Sequence, residues 1–436
     1  MQYLPNILFA IILLAGIGFF ARNIKKLIRN IKLGRDVDAS DNKSQRWKNM
    51  ARIALGQSKM VVRPIAGILH IIVYVGFIII NIEVLEIILD GLFGTHRIGL
   101  KVLPESIYGF LIGSFEVLAV LVLLAVVVFW TRRNVINLKR FKSLKGWPKN
   151  DGNIILYFEV VLMCLFLIMN ATDASFQELG SGNLVSGFIA PLFDGMSSEA
   201  LHTIERSAWW LHIIGILVFL NYLYYSKHLH ILLAFPNTYY GKLTPKGQFN
   251  NLEAVTKEVK LMMDPNADPF AVPAESDEEE EPAKFGASDV MDLNKIQLLN
   301  AYTCTECGRC TSECPANQTG KKLSPRKIMM DTRDRLVEVG KNMDTNGGEF
   351  KDDGKQLLND YITTEELWAC TTCNACVEAC PVSIDPLSII MEMRRYLVME
   401  ESAAPMELNN MMTNIENNGA PWPYNQQDRL NWVNNN

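Results

Sequence analysis

Long apolar runs dominate the chain as far as about Pro236, and the remainder is polar. Five stretches approach the about 20 apolar residues that a helix needs to cross a bilayer. They are Tyr3–Phe20, Ile65–Leu89, Tyr108–Trp130, Ile154–Met169 (extendable to Ala174) and Ala208–Leu233. Beyond them, Gln248–Met263 alternates apolar and charged positions at helical spacing, as expected of a helix lying along a surface. Residues 264–289 hold prolines and the acidic run Glu275–Glu281 with few large apolar side chains, which predicts a linker with no core of its own. Pro325–Gly340 and Gly354–Leu367 again read as helical. The expected fold is therefore all-α: a five-helix transmembrane bundle over 1–236, a linker over 237–289, a compact helical domain over 290–402 and a tail over 403–436. That tail is rich in asparagine but includes Pro421-Trp422-Pro423-Tyr424 and Trp432, which read as a docking strap.

Charge fixes the expected orientation. The formal net charge of −5 averages two unlike halves and says little about partners. Twelve lysines and arginines lie between Arg22 and Arg63, and seven between Arg132 and Lys149. The second loop has only Arg97 and Lys101, and Thr172–Glu205 has none. Basic short loops stay in the cytoplasm, so the N-terminus is expected outside and the C-terminal half inside. The first run lacks a preceding basic residue and a small-x-small site after it, so it reads as a span and not as a signal peptide.

Eight of the nine cysteines fall in two matching runs, Cys304-x2-Cys307-x2-Cys310-x3-Cys314-Pro315 and Cys370-x2-Cys373-x2-Cys376-x3-Cys380-Pro381. This spacing holds cubane [4Fe–4S] clusters, the fourth cysteine of each run reaching the cluster of the other. The expected ligand sets are Cys304, Cys307, Cys310 and Cys380 for one cluster, and Cys370, Cys373, Cys376 and Cys314 for the second. Disulfides suit small secreted domains, and structural zinc rarely uses this register. The proline after each fourth cysteine is expected to end the local helix. Cys164, inside an apolar stretch, reads as a small buried hydrophobe. Clustered thiolates persist in a reducing compartment, which agrees with the charge-based orientation.

Of the six histidines, His70, His212 and His230 lie in or at the ends of predicted spans, where an ionisable group is costly and usually functional. On one continuous helix, His212 and His230 would share a face about 27 Å apart, and His228 would face elsewhere. Two histidines on different helices are able to clamp a b-type haem axially. Depth along the helices alone leaves open whether His70 pairs with His212 or His230. Interfacial histidines that cap or snorkel are the plainer alternative. Glu83, Glu86, Glu116 and Glu159 are candidate proton-handling groups, with Glu83 and Glu86 near the outer, interfacial end of their span.

Five spans with Leu69-His70-Ile71, Leu211-His212-Ile213 and Ser226-Lys227-His228-Leu229-His230-Ile231 resemble the haem-bearing gamma subunit of respiratory nitrate reductases and the related membrane subunit of heterodisulfide reductases. The resemblance implies His70 with His230 as haem ligands, His212 as ligand to a second haem, and Lys101 at a quinol site. The sequence departs from that pattern near Ile80, where the family's second histidine of this span would fall. The C-terminal half, through Cys304-Thr305-Glu306-Cys307-Gly308-Arg309-Cys310 and Cys370-Thr371-Thr372-Cys373-Asn374-Ala375-Cys376, resembles the cysteine-rich small subunit of heterodisulfide reductases and of anaerobic glycerol-3-phosphate dehydrogenases.

No dinucleotide fingerprint, phosphate loop or nucleophile–base set appears, and nothing in the sequence points to nucleic acid. The expected protein is a multi-pass subunit of a bacterial plasma membrane. It would pass electrons between menaquinone or ubiquinone, haem b and two [4Fe–4S] clusters, to or from a separate soluble catalytic partner. The rival reading is a non-haem membrane anchor with a ferredoxin module that assembles and localises a partner complex.

Overall fold

The computed structural model describes residues 3–142, 144–245, 247–265 and 284–434. The acidic run Glu275–Glu281 lies outside them. The described residues form helices and turns with no β-strand, only two isolated bridges, Arg35 with Asn294 and Leu358 with Ile362.

Among the described residues, five helices are long and apolar enough to cross a membrane: Leu4–Ile31, Pro64–Phe93, Glu105–Asn134, Trp147–Thr172 and Ser198–Tyr225, the last ending in a 3-10 turn. The first four extend past the C-terminal end of the apolar stretch that announces them. Pro64 and Pro148 sit in first turns, where a missing N–H costs nothing, and Gly94 closes the second span in the left-handed region. The bundle core is built from Phe9, Ile80, Ile112, Phe115, Ala119, Phe166 and Ile213, drawn from all five spans. Outward faces stay apolar, as the exposed Leu8, Ile78, Leu85, Leu124 and Val161 show. That is the pattern of helices whose outer solvent is lipid.

Two expectations need correction here. The fifth span does not run as one helix through His230. Ser226 is extended (φ −114°, ψ 148°), its side chain accepts from the His228 N–H, and a new helix runs from His230 to Tyr239. A serine that satisfies a neighbouring backbone N–H competes with helix continuation. The shared-face argument for His212 and His230 therefore fails. Cys164, expected buried, lies on the outward face of the fourth span. An all-round apolar span packs its periphery against lipid, so hydropathy does not distinguish its inner from its outer face.

The C-terminal half has its own core of Val290, Leu298, Ile328, Leu336, Leu367 and Ile389. It is framed by the helices Lys295–Thr303, Pro325–Thr345 and Pro386–Met399. This core rests on the end of the bundle that carries the basic loops. Arg35 N–H donates to Leu293 O at 2.8 Å, and the Asn30 side chain to the Tyr302 hydroxyl at 2.9 Å. Lys26 and Arg29 at the end of the first span meet Asp344. Glu253–Met263 is helical as expected. In the tail, Trp422 and Trp432 are exposed along with the Met406–Asn418 helix.

Candidate functional site

Each cysteine run is folded by the same backbone device. Glu306 and Gly308 in the first run, and Thr372 and Asn374 in the second, have positive φ of 54°, 72°, 57° and 59°. These are the second and fourth residues after the leading cysteine in both runs. Glycine and asparagine enter that region most readily, and they occupy the fourth position here. The paired left-handed residues curl each loop so that its thiols converge. Short helices follow at Arg309–Ser312 and Ala375–Ala379, and Pro315 opens a further helical turn instead of simply ending one.

Two small cavities result, one at each run. The first is lined by Cys304, Cys307, Cys310 and Cys380, and the second by Cys314, Cys370, Cys373 and Cys376, with Cys376 also reaching the wall of the first. The structure thus brings each fourth cysteine to the loop of the other run. All nine cysteines are free thiols. Burial pushes the thiols of Cys304 and Cys376 up to about 12 and that of Cys380 up to about 11. The neutral thiol is therefore favoured at these positions, and ionisation would need a compensating cation such as a polynuclear iron centre supplies. Thr372 N–H donates to Cys370 Sγ at 3.4 Å and Ile384 N–H to Cys380 Sγ at 3.2 Å. Hydrogen bonds of this kind tune cluster potentials. The donor set fits two cubanes.

Cys373 is exposed at the second cavity, and the first loop is the one joined to the bundle. Arg309, between Cys307 and Cys310, donates to Lys59 O at 2.9 Å. Arg63 at the start of the second span donates to Ser312 and Glu313. Lys227, three residues before His230, donates to Glu306 at 2.5 Å and to Pro148 O at 2.6 Å. Arg333 closes on the other Glu306 oxygen at 2.8 Å. These links were not legible from motifs, and the only sequence signal for them is the charged residue set between ligand cysteines.

Next to that interface, the rings of His70 and His230 lie with centroids 6.3 Å apart and planes tilted by 43°. Two metal–imidazole bonds of about 2.0–2.1 Å, each with about 1.1 Å from ring nitrogen to centroid, place two axial rings about 6.3 Å apart. His230 Nδ1 lies 3.1 Å from Lys227 O, which assigns it the proton and leaves Nε2 free, while His70 Nδ1 is buried with no partner. The pair fits axial ligation of one haem iron. His228 is not remote from this pair: its ring lies 5.4 Å from that of His230, with Nε2 4.0 Å from Glu159. His212 is buried against Phe166, centroids 6.2 Å apart, and Ile80 is packed into the bundle core. Lys101 is exposed on a short turn at the far end of the bundle, and His96 and His202 are exposed there too.

At that far end the structure holds buried polar groups which no sequence motif joins. Arg97, 6 % exposed, donates to Asp173 at 2.7 Å, Asn170 at 2.9 Å and Tyr108 at 3.2 Å, and stacks 4.0 Å over Phe176. Burial opposes ionisation of Asp173, but His96, Arg97 and Ser175 outweigh it and hold the carboxyl well below its usual range. Glu83, expected to be interfacial, is buried at 4 % exposure.

A 4Fe-4S dicluster domain model matches residues 303–384, which contain both cysteine runs. A membrane-length bundle joined to a dicluster domain defines the class: an iron–sulfur electron-transfer protein with membrane-spanning helices. Among its relatives is the probable iron-sulfur-binding oxidoreductase FadF of Bacillus subtilis, 29% identical over 98% of this chain and 60% of that protein. The EtfAB:quinone oxidoreductase of Syntrophomonas wolfei is 25% identical over 91% of the chain and 55% of its own length. One subunit of the ferredoxin/F(420)H(2)-dependent CoB-CoM heterodisulfide reductase of Methanosarcina acetivorans is 32% identical over 27% of the chain and 60% of its own length. The chain therefore spans little more than half the length of the two relatives that it matches most fully. No solved structure matches.

Proposed function

We propose that the chain is the membrane-embedded relay of a quinone-linked oxidoreductase, carrying electrons between the quinone pool and a separate soluble catalytic partner. Bound haem b and [4Fe–4S] clusters supply one-electron carriers. His70 and His230 hold the haem, Cys304, Cys307, Cys310 and Cys380 hold the cluster nearer the membrane, and Cys314, Cys370, Cys373 and Cys376 hold the other. The observation that carries this reading is the His70–His230 pair, brought to axial-ligand separation from two different helices beside the first cysteine cavity. His212 Nδ1 is also buried without a hydrogen-bond partner, but among the described residues its ring meets Phe166 and not a second histidine, so a second haem is no part of this reading.

Lys227 and Arg309 fasten the first cysteine loop to the bundle, and Lys227 O holds the proton of His230. The exposed Cys373 marks the edge where a soluble partner would dock. The basic loops and the cysteine-rich half share one end of the bundle, and the proposal places that end in the cytoplasm of a bacterial cell. The relative named as an EtfAB:quinone oxidoreductase supports a quinone as the membrane substrate.

The test is the combined His70→Ala and His230→Ala variant in membranes. The relay predicts loss of haem absorbance and of quinol-dependent cluster reduction, with both clusters still assembled. Quinol-dependent reduction at the wild-type rate would refute it and favour a non-haem anchor.

A further inference from the structure

The second span carries three carboxylates in its outer half, Glu83, Glu86 and Asp90, of which Glu83 and Glu86 are three residues apart and so on one face of the helix. Glu83 lies ten residues before Phe93, about 15 Å below the span's end at 1.5 Å per residue. It is 4 % exposed, and its Oε2 is buried with no hydrogen-bond partner. Every other acid nearby is occupied. Asp90 accepts from the N–H groups of Arg97 and Ile98, and Asp173 from Arg97. Glu116 accepts from Asn170 and from the N–H groups of Val185 and Ser186. Those three hold loops to helices. Glu83 has no hydrogen-bond partner for its buried oxygen, and an unpaired carboxyl at this depth is costly and marks a function.

Glu86, one turn outward, is half-buried and joins Glu83 to the outer end. Its Oε1 accepts from the Gly99 N–H at 2.9 Å, and the Tyr108 hydroxyl donates to it at 3.1–3.2 Å. Arg97 in turn donates to Tyr108. A guanidinium does not give up its proton, so Arg97 fixes the charge of this end and is not itself a carrier. Glu83, Glu86 and the Tyr108 hydroxyl are the groups able to load and unload.

From this geometry we propose that Glu83 and Glu86 form a proton-transfer pair serving a quinone headgroup, exchanging its protons with the membrane face opposite the cysteine cavities. The inference rests on the quinone-linked reading above. Glu83 stands thirteen residues outward of His70 on the same helix, about 20 Å along its axis, so it lies on the side of the histidine pair that faces away from the cysteine cavities. Reducing one quinone to quinol forms two O–H bonds and consumes two electrons and two protons. The electrons arrive from the iron–sulfur side, and the protons pass from the outer face through Glu86 to Glu83. The oxidative direction is the reverse of each step.

The experiment uses the full chain in proteoliposomes, its clusters reduced in advance, with a naphthoquinone as acceptor and a pH-sensitive dye on the face opposite the clusters. Wild-type protein takes up protons from that face as the naphthoquinone is reduced. Glu83→Gln slows both events by about a hundredfold while the EPR signals of both clusters stay unchanged. Glu83→Asp, which keeps a carboxyl, retains most of the rate. A wild-type rate in Glu83→Gln, or proton uptake from the cluster face, overturns the pair and leaves the quinone reading standing. Failure of the wild-type protein to reduce the naphthoquinone overturns that reading and the pair with it.

Discussion

Arg335 shows how much of this molecule is decided by single buried groups. Its side chain is wholly buried between Asp289, at 2.8–3.2 Å, and Asp353, at 2.6–3.0 Å, and it also donates to Lys355 O. Arg335→Met leaves two partly exposed carboxylates, 14% and 23% accessible, without their cation, which costs about 1–3 kcal/mol. Denaturant unfolding should show that loss, and a change below about 1 kcal/mol would show that the triad is not structural. The cysteines are the opposite case, because their spacing along the chain carries the chemistry. Cys380→Ser should degrade the cluster of the Cys304–Cys310 loop while the other survives, as resolved by EPR. Loss confined to the Cys370–Cys376 cluster would refute the crossed arrangement. Local spacing made these eight ligands legible in the sequence. Arg97 was not, because its burial depends on how the loop after the second span folds back onto Asp173 and Asn170, and for Glu83 the sequence marked the carboxyl but not its burial.

At the scale of elements, composition announced the five spans, and their phase could not be read in the same way. His230 reaches His70 only because Ser226 breaks the fifth span and starts a new helix. A continuous helix would have sent His230 with His212. Hydropathy does not register one extended residue, so the pairing was legible only through family resemblance. Element contacts also set tolerance to change. A Cβ at Gly340, on the Pro325–Thr345 helix, would meet the Asn30 side chain at 2.3–2.8 Å, where the first span docks. Asn30 is 3 % exposed and bonded to Tyr302, so it has no free space to enter. Gly340→Ala should therefore cost about 1–3 kcal/mol through overpacking. A melting temperature equal to wild type would show that the first span does not dock there.

For the whole molecule, the two halves are joined at the end bearing the basic loops, through Arg35, Lys227, Arg309 and Arg326. The partly exposed pairs of Lys26 and Arg29 with Asp344 add little to that joint. Its consequence is an ordered series: the histidine pair, the first cysteine cavity, then the second, where Cys373 is exposed. The central claim is that this series is loaded with one haem b and two cubanes in a single chain. The most direct measurement is haem b per polypeptide by pyridine haemochrome, with iron and sulfide assayed on the same purified membrane protein. The account predicts one haem and about eight cluster irons per chain. Full iron–sulfur content with no haem would contradict it.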